Sequence, residues 1–497
     1  VKRPNLLLIT TDQQRADHLG LKGLSAIRTP HLDRLGTEGV HFDRAYCASP
    51  LCTPSRVSLL TGQWPSRHGA YSIGVTADPF PGPTIPQLLK DSGYATCLIG
   101  KAHFVRRDDE APHFTGQAAP DPAMFREYHG PYAGFETVHT CTGHTTNCKP
   151  DMHYRTFLEN SGLDYAAWFP HLQGNIDYAR TGVWDIPDEL QNTAWVAALA
   201  EEWIESRKEQ ERPWFCWVSF EDPHPPFVCP EPWFSAVDVE RMPVYEGYRA
   251  GEFEGKPAIY QAMFENKTGA YTDGPLVPGI RGPNRERTKD RVALQAALGM
   301  IANIDAKVGG ILERLAATGQ LDDTVILFTS DHGEMNGHHG LWGKGLAAYD
   351  DCQKVPLLVW GPAYFPKQGT SGAVVSLVDA ACTLLTLAGV DWPQGMQGTD
   401  LMPLLRGEVE AVQDATIVEC HATEKVYQMT LVTERYKLVV YRDEPDGELY
   451  DLAEDPDQYV NRWSDERYFS LRGRLLLQLA QKRMAAEGVV QPRRAFA

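Results

Sequence analysis

The sequence has no surplus of positive charge: 47 Lys and Arg stand against 65 Asp and Glu, a formal net charge of −18 over 497 residues. This excludes a protein that coats nucleic acid or an anionic membrane through its bulk field. Nor is there a hydrophobic run suited to crossing a bilayer. The longest apolar stretch, Val374 to Val390, is interrupted by Ser376, Asp379 and Thr383, and reads as a buried amphipathic helix. The run Leu6 to Ile9 is short and gives way at once to polar residues, so the first residues do not read as a secretory leader and a cytoplasmic location is expected. The ten cysteines lack the spacing of a disulfide framework and read as reduced thiols, although Cys141 and Cys148 could pair. Repeats and low-complexity segments are also missing. What remains, 43% hydrophobic and 23% charged residues, is the composition of a globular enzyme. The length suits one large α/β domain followed by a small one.

Several short apolar runs end abruptly in polar residues. Leu6 to Ile9 leads to Asp12, Ala95 to Ile99 leads to Gly100 and Lys101, Trp214 to Val218 runs toward Glu221, Asp222 and His224, and Val325 to Phe328 ends at Asp331 and His332. Continuous β-rich runs are what strands covered on both faces look like. Between them lie helical patterns over Ile85 to Asp91, Leu190 to Glu209 and Arg291 to Thr318. Such β-α alternation predicts a large, mostly parallel central sheet flanked by helices, with ligands outside the carboxyl ends of the strands. After about residue 400 the pattern changes to paired antiparallel strands at Val426 to Val432 and Arg435 to Tyr441, followed by a helix with Leu471, Leu475 and Leu479 on one face. The expected organisation is a catalytic α/β domain over 1–400 and a smaller α+β domain with an antiparallel sheet over 401–497.

The segment Ser49 to Gly62 is the sharpest local feature. Pro50 and Pro54 fix a rigid turn, and the apolar Val57 to Leu60 reads as a helix start, so Cys52 falls near a helix N-terminus, where backbone N–H groups favour anions. By itself a Cys beside Pro is commonly an inert buried thiol. Asp12 with Gln13 is by itself a strand-end turn, and a lone Lys or His is ordinarily a surface charge or a satisfied core residue. Their common position at strand ends singles them out.

Cys52-Thr53-Pro54-Ser55-Arg56, followed by Leu60-Thr61-Gly62, resembles the signature of the formylglycine-dependent sulfatases of the alkaline phosphatase superfamily. The resemblance extends over nearly the whole chain, through Thr29-Pro30-His31-Leu32-Asp33, Gly100-Lys101-Ala102-His103, Pro223-His224-Pro225, Ser330-Asp331-His332-Gly333-Glu334, Trp342-Gly343-Lys344 and Leu449-Tyr450-Asp451-Leu452. It implies an alkaline phosphatase-like fold and conversion of Cys52 to formylglycine by a formylglycine-generating enzyme. The hydrated aldehyde would attack sulfur, and expulsion of sulfate would regenerate the aldehyde. It further implies one divalent ion, Ca²⁺ or Mn²⁺, held by Asp12, Gln13, Asp331, His332 and the modified Cys52. Arg56 and Lys101 would hold the nucleophile's hydroxyls, His103 would act as base, and Lys344 and His224 would bind sulfate and assist the leaving oxygen, either of the two being the proton donor.

Many sulfatases carry a second Asp in place of Gln13 and Asn in place of His332. The Gln and His combination is more similar to choline-sulfatase-like members and to phosphonate monoester hydrolases. The expected activity is therefore arylsulfatase-like hydrolysis of a small sulfate ester, with phosphonate monoester or phosphodiester hydrolysis as the alternative and cross-activity between them. No nucleic acid or membrane partner is expected, and a homo-oligomer is. His338 and His339 are not expected to form a second metal site. The metal-like residues His139, Cys141, His144 and Cys148 lack ligand spacing. Trp64, Trp168, Trp184, Trp233 and Tyr71 are candidates for an aryl pocket, although aromatics more often simply pack.

Overall fold

The computed structural model describes residues 2–73, 82–104, 122–144, 150–169, 181–245, 247–267, 287–422 and 425–487. Cys148 and the tail from Gln491 to Ala497 lie outside them. Ten strands precede the C-terminal region: β1 (Asn5–Thr11), β2 (Val40–Tyr46), β3 (Ala95–Lys101), β4 (Thr137–Cys141), β5 (Gly182–Val183), β6 (Trp214–Ser219), β7 (Val228–Cys229), β8 (Thr324–Ser330), β9 (Leu357–Trp360) and β10 (Gly369–Ser376). Eight of them form one sheet in the order β10-β2-β9-β8-β1-β6-β3-β4, and β5 and β7 make a separate pair. Every pairing in the large sheet is parallel except those of β9, which runs against β2 and β8. The mostly parallel sheet expected from the apolar runs is therefore present.

Those runs are continuous because both faces of the sheet are covered. Leu6, Leu8, Leu98, Trp217 and Leu327 enter one core, while their neighbours Leu7, Ile9, Ile99, Val218 and Phe328 enter the other. Helices α1 (Pro30–Glu38), α3 (Asn192–Ser206) and α4 (Arg287–Ala317) cover the second face, through residues such as Leu32, Val196 and Ile304. Helices α2 (Cys52–Thr61) and α5 (Leu377–Ala388) cover the first, through Val57, Leu60, Leu384 and Leu385.

Two sequence expectations need adjusting. The stretch from Val374 is not helical throughout: Val374 and Val375 finish β10 against Arg44 and Ala45 of β2, and the helix begins at Leu377. The reason is local, since β-branched residues suit the strand and Ser376 with Asp379 forms a capping box at the helix start. Helix α2 likewise begins at Cys52, five residues before the apolar run that announced it.

The C-terminal region is a four-stranded antiparallel sheet in the order β11-β12-β13-β14, made of Ala415–Cys420, Gln428–Thr433, Tyr436–Tyr441 and Glu448–Asp451. Helix α6 (Phe469–Glu487) packs Leu475 and Leu479 against Ile417, Leu431 and Leu438 of that sheet. No helix among the described residues is long and apolar enough to cross a membrane.

Candidate active site

The parallel strands deliver their carboxyl ends to one edge, and the polar residues that end the apolar runs meet there. Asp12 follows β1, Lys101 ends β3, His224 follows β6, and Asp331 and His332 follow β8. Gly100 lets β3 reach this point: it sits at φ 99°, and a Cβ there would lie 1.9 Å from the Ser219 carbonyl oxygen. Helix α2 brings Cys52 to the same edge, at the first residue of the helix and fully buried.

The ligand atoms of Asp12, Cys52, Asp331 and His332 lie within 4.8 Å of one another. The Cys52 Sγ is 3.2 Å from His332 Nε2 and 3.8 Å from Asp12 Oδ1, and Lys344 Nζ donates to it at 2.9 Å. Arg56, one helical turn beyond Cys52, is wholly buried and bolts the carboxylates in place. Its Nε donates to Asp331 Oδ2 at 2.8 Å, Nη2 to Asp12 Oδ2 at 3.3 Å, and Nη1 to the Lys101 carbonyl at 3.0 Å and Ser219 Oγ at 2.8 Å. Lys101 Nζ is 2.7 Å from Asp12 Oδ2. Lys344 Nζ lies 3.7 Å from Asp12 Oδ1.

The charge states follow from these contacts. Burial opposes ionisation of Asp12, yet Lys101, then Lys344 and Arg56, hold its carboxyl well below the usual range. Burial opposes protonation of Lys101 and Lys344, and the same Asp12 raises both. Burial and Asp12 push the Cys52 thiol upward, so the unmodified residue is a protonated thiol and a poor nucleophile. Burial keeps His332 neutral, and its Nδ1 donates to the Gly333 carbonyl at 2.9 Å, which leaves the Nε2 lone pair facing the cluster.

Gln13 stands beside these ligands in a left-handed backbone conformation, φ 71°. Its N–H donates to Asp331 Oδ1 at 3.0 Å and its Nε2 donates to Glu334 Oε2. Its Oε1 is buried and has no hydrogen-bond partner. Two carboxylates, a neutral imidazole and an unpaired amide oxygen make a donor set of hard ligands with one nitrogen, which fits a divalent cation.

His103 and His224 reach the cluster electrostatically. Both are held well below the ordinary imidazole range, His103 by burial, then Lys101 and Arg56, and His224 by burial, then Lys344. His224 Nδ1 donates to the Pro225 carbonyl at 2.6 Å. Sequence reasoning assigned no role to Ser219, which supports Arg56, or to Glu334, although Glu334 stands in the quoted Asp331-His332-Gly333-Glu334 run. It also passed over the His144 and Asp222 ion pair, Nδ1 to Oδ1 3.1 Å, beside His224. The aromatic candidates pack elsewhere: Trp64 in the C-terminal core, Trp184 and Trp168 in the core behind α3, Trp233 beside α4. Tyr71 faces the ring of His421, 4.8 Å between centroids. His338 is paired with Asp351 and His339 with Glu252.

A family profile described as Sulfatase matches residues 4–390, more than three quarters of the chain. The protein belongs to the sulfatase family. A second profile, described as N-sulphoglucosamine sulphohydrolase, C-terminal, matches residues 337–485. This family member is 28% identical over 489 residues to an arylsulfatase of Clostridium perfringens, covering 94% of this chain and 91% of the relative. It is 29% identical over 471 residues to a choline-sulfatase of Rhizobium meliloti, covering 92% and 82%. The phosphonate monoester hydrolase of Agrobacterium radiobacter superposes with a TM-score of 0.78 at 26% identity, covering 99% of this chain and all of that one. The fold is thus that of the alkaline phosphatase superfamily, and the protein is a hydrolase of the sulfatase family, whose members use a metal ion and a formylglycine derived from cysteine.

Proposed function

We propose that the protein hydrolyses a small sulfate monoester, arylsulfatase-like, with a nucleophile formed from Cys52 and one divalent ion, Ca²⁺ or Mn²⁺, held by Asp12, Gln13, Asp331, His332 and the modified residue 52. The observation that carries this reading is the meeting of Cys52 with Asp12, His332 and Lys344 at the N-terminus of a buried helix. Conversion of Cys52 to formylglycine by a formylglycine-generating enzyme acting on Cys52 to Arg56 would supply the hydroxyl nucleophile that a protonated thiol does not. The ion would supply Lewis-acid polarisation and charge neutralisation.

The chain's own residues do the rest. Asp12, Asp331 and Glu334 bring three formal negative charges, and Arg56, Lys101 and Lys344 bring three positive ones, so the pocket balances its own charge and a divalent ion would make it cationic. That local balance, with the ion's charge added, would offset the −18 of the whole molecule for a small anion. Arg56 and Lys101 orient the nucleophile and neutralise the charge that develops beside it. His103, kept neutral by burial and by Lys101, is ready to accept a proton from a nucleophile hydroxyl. Lys344 and His224 face the sulfate and its leaving oxygen. Lys344 keeps its proton against burial, whereas His224 is neutral, so Lys344 is the better placed proton source for the leaving oxygen.

A second reading, hydrolysis of a phosphonate monoester or phosphodiester at the same site, is supported by Gln13 and His332 and by the likeness to the Agrobacterium radiobacter enzyme. Parallel kinetics on p-nitrophenyl sulfate and phenyl p-nitrophenyl phosphonate, on protein whose Cys52 peptide mass has been measured, separate the two. The sulfate reading expects the higher kcat/KM on the sulfate. A much higher value on the phosphonate would replace it with the second reading. Full activity on protein with an unmodified thiol at 52 would overturn the nucleophile.

A further inference from the structure

The Glu334 carboxylate touches two parts of the site at once. One oxygen, Oε2, accepts from the Gln13 amide, and the other, Oε1, accepts from the Gly343 N–H, the residue before Lys344, and from the Asn336 N–H at 3.2 Å. The side chain is 1% exposed, and its loop is held by Arg15 Nη1, which donates to the Glu334 and Met335 carbonyls at 3.1 Å each.

A carboxylate only accepts, so the Gln13 side chain must turn its NH₂ toward Glu334, and Oε1 is then the atom left over. That oxygen is buried without a partner. We infer that Glu334 is a positioning residue that fixes the Gln13 amide as an oxygen donor to the metal and ties that donor to the backbone carrying Lys344. The inference rests on the metal reading above and adds to it a reason why Gln can serve at position 13.

The chemistry of the contact makes the inference specific. An amide at 334 cannot accept from both neighbours with one oxygen. If its oxygen serves Gly343, its NH₂ faces Gln13 and turns that amide round, so that Gln13 presents hydrogens where an oxygen is required. If its oxygen serves Gln13, its NH₂ opposes the Gly343 N–H. A carboxylate at 13 with Glu334 intact sets two buried anions against each other. Changing both residues reverses the hydrogen bond and satisfies every group again.

The test is calorimetric titration of metal-free enzyme with Mn²⁺, and separately with Ca²⁺, for wild type, Glu334→Gln, Gln13→Glu and the double variant, with the thermal midpoint of each metal-free protein recorded. Removing an outer partner of a metal ligand typically weakens affinity about 10-fold to 100-fold. Glu334→Gln is expected to do so while its metal-free midpoint stays close to wild type. Gln13→Glu is expected to bind more weakly than the double variant, which regains at least about tenfold. Equal affinity in wild type and Glu334→Gln, or no recovery in the double variant, overturns this inference alone. Failure of the wild type to bind either ion overturns the metal reading, and this inference with it.

Discussion

Lys101 offers the most discriminating perturbation, because it touches Asp12, the carboxylate proposed to hold the metal, yet lies outside the Cys52 to Arg56 segment proposed as the maturation site. Lys101→Met keeps the buried stem and removes the charge. At the observed 2.7 Å to Asp12 the gross attraction is about 6 kcal/mol for an effective dielectric near 20. Arg56 at 3.3 Å and Lys344 at 3.7 Å retain roughly 5 and 4.5 kcal/mol on the same basis. Asp12 therefore stays ionised and the sheet edge stays assembled, so the variant folds. Since Lys101 already holds Asp12 in the resting enzyme, only the part of its field that strengthens in the transition state is lost from the rate. Deletion of one such donor costs about 100-fold to 1,000-fold in kcat, or roughly 3–4 kcal/mol. The assay is steady-state hydrolysis of p-nitrophenyl sulfate, with the Cys52 peptide mass showing equal conversion in both proteins. A kcat within threefold of wild type at equal conversion would refute the role given to Lys101, as would an effect confined to KM.

Three further outcomes are expected. Cys52→Ala and Cys52→Ser are both expected to abolish turnover in the hydrolysis assay while their thermal midpoints stay near wild type, since the side chain is small in each case; residual steady turnover by Cys52→Ser would contradict a nucleophile that must be an aldehyde hydrate. Acidification is expected to destabilise the protein through His68, whose pKa burial lowers to about 3 and whose Nδ1 accepts from the Ala70 N–H at 3.1 Å while Nε2 donates to Ser58 Oγ at 3.0 Å. The unfolded chain takes up that proton near pH 6.5 and the folded chain does not, so stability falls from pH 6.5 downward, by about 2 kcal/mol at pH 5 from this residue. A His68→Gln variant should show a shallower fall of thermal midpoint with pH, and an identical slope would remove His68 from the account. Glu448 is buried and accepts from Tyr260 at 2.8 Å and from Tyr441 and Tyr450, so Glu448→Ala removes the acceptor that three phenols share and leaves Tyr260 and Tyr441 their mutual contact at 3.2 Å. A loss of about 3 kcal/mol or more, read as a lowered midpoint by scanning fluorimetry, is expected, and an unchanged midpoint would show the cluster to be dispensable.

Sequence and structure divide the work along a physical line. Strand-length apolar runs ending in Asp12, Lys101, His224 and Asp331 were legible because a sheet covered on both faces leaves a continuous hydrophobic imprint, and because parallel strands put their carboxyl ends on one side. The Cys52 to Gly62 segment was legible because its chemistry is written in consecutive residues. The C-terminal strands at Gln428–Thr433 and Tyr436–Tyr441 were found within one or two residues, since they pair through a local turn, whereas the edge strand Ala415–Cys420 was not called.

The sequence could not place the start of α2 or the end of β10, where capping by side chains and pairing with a distant strand decide between neighbouring residues. Nor could it show what Glu334 does, because Gln13 and Gly343, two of its three partners, stand 321 and 9 residues away and only the fold brings them to one carboxylate. Charge has the same character. The overall −18 is fixed by composition, but the cluster of three buried cations exists only because Arg56, Lys101 and Lys344, spread over 288 residues, converge on Asp12. Attraction that falls with distance depends on where side chains end up, and that is a property of the tertiary structure.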